Sequence, residues 1–243
     1  MCVALLAFLA SPLLPNVGSR PANAVTVTPA FVQAASAHAS SKTSLAVTPA
    51  SSVASGDRLV VEVGVWSGGN ATAAKVADSA GDGFVELSHS TASDHSELSV
   101  WSAPVTAGAG TRPTVTVTPS ASADIGVAVL DYSGLSTVAD ATVVDQEAQA
   151  TGTTSSAQAV ASPPTAATTM ANELSLGVYA DSGFGDSLTA GAGYTARANV
   201  SPAGDIELLA EDTVVGQGAN PTAAINTGGQ TIWLAETIVL KHG

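Results

Sequence analysis

Hydrophobic and polar residues alternate with a period of two along much of the chain. In Val61-Glu62-Val63-Gly64-Val65-Trp66 the three valines share one face, and Glu62, Gly64 and Trp66 share the other. Such alternation marks a half-buried strand, here with Val61, Val63 and Val65 toward a core. The pattern returns at Leu174-Ser175-Leu176-Gly177-Val178-Tyr179, again with a glycine and then an aromatic on the second face. Leu98-Ser99-Val100-Trp101 and Thr114-Val115-Thr116-Val117-Thr118 alternate in the same way. Ile125 to Tyr132 is apolar on both faces, which predicts a strand covered on both sides. No window holds an apolar period near 3.6, so almost no helix is expected.

Turn residues punctuate these runs. Val25 to Thr28 predicts a first strand that stops at Pro29, and 34–44 reads as loop or frayed edge. Ser55-Gly56-Asp57 is a turn that launches the strand at Val61. Lys75-Val76-Ala77 and Phe84-Val85-Glu86-Leu87 flank the turn Asp78–Gly83, which predicts a hairpin. The Ala-, Ser- and Thr-rich stretch 136–171 reads as a loop-and-strand connection, with a linker as the alternative. Asp181 to Asp186 is a Gly-rich loop, and Tyr194–Arg197, Ile206–Ala210 and Thr231–Leu240 complete the strands. Matched elements lie about 110 residues apart, which points to internal duplication. The expected fold is all-β: a jelly-roll-like β-sandwich built from two similar halves, about 25–135 and 136–243, in one domain.

Composition narrows the setting. The 243 residues are 45% hydrophobic, mostly Ala and Val, and 11% charged. The formal net charge of −13 argues against nucleic acid, which needs clustered Lys and Arg, and against an anionic membrane surface. Val3 to Leu14 is a short apolar run ahead of Ala22-Asn23-Ala24, so 1–24 reads as a secretory signal peptide, although no Lys or Arg precedes the run. Pro12 and Pro15 break that run, which is too short for a membrane anchor, and no membrane insertion is expected after cleavage. Cys2 is the single cysteine, and cleavage removes it, leaving no disulfide or thiol chemistry. A secreted, extracellular protein is the expectation.

Several short pieces carry a resemblance. They are Gly56-Asp57 before Leu59-Val60-Val61; Asp78-Ser79 with Gly81; Tyr132-Ser133-Gly134-Leu135; Ala171-Asn172-Glu173-Leu174; and Pro202 with Gly204-Asp205. In order and spacing the chain resembles a family of uncharacterised all-β modules of bacterial secreted and cell-surface proteins. The resemblance implies a β-sandwich that sits in surface or carbohydrate-active proteins. It supplies no catalytic residues.

Candidate chemistry is sparse. Asp78 and Asp82 are candidate calcium ligands, because Asp78, Asp82 and Gly83 fit the first, fifth and sixth places of a calcium loop. Ala80 and His89 break the EF-hand pattern, leaving a different calcium site or an Asx-type turn. Glu207 and Glu211 share a strand face, with Asp212 alongside; they read as paired carboxylates for glycoside hydrolysis or as a solvated face. Glu97 beside Asp94 and His95 is a similar case, and the four histidines make no zinc spacing. No nucleophile elbow, phosphate loop or dinucleotide fingerprint occurs. Trp66, Trp101 and Tyr179 are candidate ligand-binding residues if their faces are open to stack on sugar rings; otherwise the faces are covered, and Gly64 and Gly177 make room for the cover. The expectation is a non-catalytic surface or adhesion module whose partner is a glycan or cell-surface component, with a structural or self-assembling protein second and a glycan-active hydrolase third. The oligomeric state is not legible.

Overall fold

A computed structural model describes residues 27–183 and 187–243. The leader over 1–24, Val25-Thr26 of the expected first strand and residues 184–186 of the 181–186 loop lie outside the described residues. In chain order the first strands are β1 (Ala30–Lys42), β2 (Leu45–Val47), β3 (Arg58–Trp66), β4 (Ala73–Asp78), β5 (Val85–Thr91), β6 (Ser96–Pro104), β7 (Val115–Pro119) and β8 (Ala123–Ser133). A single 3-10 turn, Ala141–Val143, precedes β9 (Val144–Thr153), β10 (Ala159–Ala161) and β11 (Glu173–Asp181). The last four are β12 (Thr195–Val200), β13 (Glu207–Val215), β14 (Ala224–Asn226) and β15 (Ile232–Leu240). The described chain is therefore nearly all β. Among the described residues no helix is long and apolar enough to cross a membrane.

All named strand pairs are antiparallel. One five-stranded sheet has the order β1-β8-β3-β6-β5, and a second has the order β12-β13-β11-β15-β9. A three-stranded sheet, β2-β7-β4, and a pair, β10-β14, complete the strands. Val60, Leu98 and Leu130 meet Leu176, Val178 and Leu208 in a core between the two large sheets. On the far side of the first sheet Val61, Val63, Val65 and Val127 pack against Val76, Val115 and Val117 of the three-stranded sheet. On the far side of the second, Tyr179, Leu209 and Ala235 pack with Val160 and Ile225 of the short pair. The arrangement is β-sandwich-like, with a smaller sheet covering each outer face.

This layering changes how the alternating stretches read. Val61, Val63 and Val65 are buried as expected, but so are Val60, Glu62 and Gly64. The two matched motifs also bury opposite faces. Val61, Val63 and Val65 point to the small sheet, whereas Leu174, Leu176 and Val178 point to the core between the large sheets. With a side-chain period of two, an offset of one residue flips every side chain to the other face.

Three local expectations also change. β4 and β5 do not form a hairpin, because β4 pairs with β7 and β5 with β6 in a different sheet. Residues 34–42 belong to the long strand β1, which pairs along β8. Its Ala35 and Ala37 pack on the core with side chains too small to give a strong apolar pattern. The 136–171 stretch carries β9, longer than the few strand residues expected there. Its start is pinned by Arg58, a wholly buried cation that donates to Ser136 O at 2.8 Å, Ser102 Oγ at 2.5 Å and Val138 O.

Candidate functional site

At one end of the interface between the large sheets, Trp66 borders a cleft of about 360 Å³. The strand geometry explains its place. Trp66 is the last residue of β3 and lies on the face that looks toward the second sheet, two positions beyond Gly64. Gly64 pairs with Gly126 of β8. The absent side chains let Leu208 close the two sheets here, since a Cβ at Gly64 would come within 2.7 Å of Leu208 Cδ2. One pleat further out the sheets part, and the half-buried indole stands at the opening. The indole N–H donates to Asp94 O at 2.9 Å, which fixes the ring.

Three carboxylates line the same cleft: Asp94, Asp124 and Asp205. Each is held by donors from its own surroundings. Asp94 accepts from Ser96 N at 3.1 Å and Ser96 Oγ at 2.9 Å. Asp124 Oδ1 accepts from Ser41 N at 2.7 Å. Asp205 accepts from Ile206 N at 2.9 Å and from the Ser40 hydroxyl, with the His38 ring 3.7 Å away. A pocket of this size with an apolar ring and a few oriented acceptors suits a small polyhydroxylated ligand, whose hydroxyls donate to carboxylates and whose C–H face covers the ring. The sequence reads Asp94 only as a neighbour of Glu97 and Asp205 only as part of the Pro202–Asp205 piece, and nothing in its pattern brings them to Trp66.

The three expected aromatics do not form one platform. Trp101 is half-buried on the opposite face of the first sheet, with its indole N–H donated to Ser99 Oγ at 3.1 Å. Tyr179 is fully buried under the short strand pair and donates to Asp181 Oδ2 at 2.8 Å. Trp66 alone of the three borders the cleft.

The acidic candidates are used by backbone donors. Asp78 Oδ1 accepts from Ala80 N, Gly81 N and Asp82 N at 2.6–3.0 Å, the bonding of an Asx-type turn. Asp82 accepts from Thr106 N, Thr106 Oγ, Ala107 N and Gly108 N at 2.7–3.1 Å. Burial pushes the Asp82 carboxyl up, but those donors outweigh it and hold it below the usual carboxylate range. Glu207 and Glu211 share a face of β13 and are buried, with Glu207 Oε1 accepting from Ala203 N and Glu211 Oε2 from Gly191 N, both at 2.7 Å. Neither lines the Trp66 cleft.

No family model matches the chain, and neither the curated proteins nor the solved structures give a significant match.

Proposed function

We propose that the chain is a secreted, non-catalytic surface or adhesion module that binds carbohydrate in the Trp66 cleft. The observation that carries this reading is the half-buried indole at the mouth of a cleft lined by Asp94, Asp124 and Asp205. A neutral sugar fits that setting better than an anionic ligand, because three carboxylates repel negative charge. The leader-like segment over 1–24 is consistent with export.

We read the fold as a jelly-roll-like sandwich of two similar halves. The order β1-β8-β3-β6-β5 has a counterpart, strand for strand in chain order, in β9-β15-β11-β13-β12. The pair β10-β14 stands where β2-β7 stands in the first half, and a Thr189–Asn226 bridge takes the place of β4. This correspondence supports duplication better than the sequence motifs do.

A glycan array probed with the chain and with Trp66→Ala tests the reading. Binding to at least one neutral glycan that Trp66→Ala weakens tenfold or more is the expected result. Absence of binding to every glycan overturns it. A second reading, self-assembly, is favoured by β9, whose outer edge has no strand partner among the described residues. Concentration-dependent oligomers without glycan binding would establish that alternative.

A further inference from the structure

We propose that Glu86, His89 and Glu97 form a binding site for a divalent transition metal, zinc above all, on the outer edge of the first sheet. The three residues come from the edge strand β5 and its neighbour β6. Among the described residues they are a trio whose ligand atoms all lie within 4.8 Å of one another. In a regular strand, positions 86 and 89 point to opposite faces. A bulge between Glu86 and Ser88 inserts one extra residue and turns both side chains to the same side. There they meet Glu97 of β6.

The distances suit a metal shell. His89 Nδ1 lies 3.2 Å from Glu86 Oε1 and 3.2 Å from Glu97 Oε1. Donors bound to tetrahedral zinc at 2.0–2.2 Å stand about 3.3–3.6 Å apart. Hydrogen bonding alone leaves this cluster incomplete. Nδ1 carries at most one proton, so it donates to one carboxylate and not to both.

Glu97 is the second observation. Its side chain is 0% exposed. Oε2 accepts from Ala73 N at 2.7 Å, while Oε1 makes no hydrogen bond of ordinary geometry. The polar groups acting on this carboxylate are Ala73 N–H, the His89 ring, the Ser99 hydroxyl and Glu86. A buried carboxylate oxygen without a well-formed hydrogen bond is costly. A cation seated between it, Glu86 Oε1 and His89 Nδ1 removes that cost.

Glu86 and His89 are 39% and 40% exposed, so an ion reaches the site from solvent and a water completes the shell. The imidazole donor selects zinc-like ions over calcium and magnesium, which take oxygen ligands.

The test is isothermal titration of the full, untagged chain with zinc chloride, paired with thermal melts. One zinc per chain is expected, with a raised melting temperature. His89→Ala, a change at an exposed position, should weaken binding at least tenfold and abolish the rise. Glu86→Gln, also at an exposed position, should weaken it similarly, which keeps the test decisive should His89→Ala fail to fold. No stoichiometric zinc uptake overturns the proposal. So does uptake unchanged by His89→Ala, or calcium bound as tightly as zinc.

Discussion

The phenol hydroxyl of Tyr132 donates a 2.7 Å hydrogen bond to Asp212 Oδ2 in the interior between the two large sheets. Asp212 Oδ1 accepts from Arg197 Nε at 2.9 Å. The Arg197 guanidinium lies 4.5 Å over the ring of Phe31, which meets Tyr132 edge-on at 5.7 Å. Phe31 and Tyr132 belong to the first sheet, and Asp212 and Arg197 to the second. The four side chains thus close a ring across the interface. Tyr132→Phe keeps the packing but leaves Asp212 short of a donor. The expected cost is about 1–3 kcal/mol, read as a lower urea midpoint with an unchanged slope.

Stability should fall as pH rises. Glu62 lies wholly inside the interface, and burial lifts its carboxyl from 4.5 to about 8 even though Tyr179 N donates to it at 3.1 Å. Burial likewise lifts Glu236 to about 7. Between pH 4.5 and 8 the folded state holds protons that the unfolded chain has released. This stabilisation is complete below about pH 4.5 and is lost as pH rises through the folded values. At about 1.4 kcal/mol per pH unit, Glu62 alone accounts for roughly 4–5 kcal/mol. Melting temperatures from pH 4.5 to 9 should therefore decline, and Glu62→Gln should flatten the decline. A flat or rising profile for the unaltered chain would contradict this.

The sheet contact at Gly64 and Gly126 should not tolerate bulk. A Cβ at Gly126 would lie 2.9 Å from Leu208 Cδ1. Gly126→Val should cost about 1–3 kcal/mol through overpacking. Adding Leu208→Ala should recover part of that loss, because the two changes compete for one volume. Strict additivity in a double-mutant cycle would refute the close approach.

Much of the fold is legible in the sequence, because Val, Thr and turn residues mark strands wherever one face is strongly apolar. β3, β6, β7 and β8 were readable for that reason. β1 was not: its Ala, Ser and His side chains give little contrast, and pairing with β8 is what makes it a strand. Glu62 hides the second cover of β3, since a polar residue in an alternating run is as compatible with solvent as with burial, and here it is buried and proton-holding. Long-range pairing was also hidden, so β4 and β5 looked like one hairpin. The functional groupings were the least legible part. Trp66 and Asp205 line one cleft only because the two sheets pack together, and Glu86 joins His89 only through a bulge.

Asp82 is expected to act as a loop brace. Its four donors lie in Thr106, Ala107 and Gly108, far along the chain from the turn that carries it. Asp82→Ala should cost about 1–3 kcal/mol, since charge-assisted bonds are lost and the buried Gly108 N–H is left alone. The melting temperature of the zinc-free chain should be the same with and without added calcium. A rise with calcium that Asp82→Ala removes would instead make Asp82 a metal ligand.

The most direct test of the central claim follows the indole N–H resonances of Trp66, Trp101 and Trp233 by NMR while a glycan identified on the array is added. Binding in the cleft predicts a saturable shift of the Trp66 signal, through its bond to Asp94 O, with Trp101 and Trp233 nearly unmoved. A glycan that binds and leaves Trp66 unshifted would contradict the account.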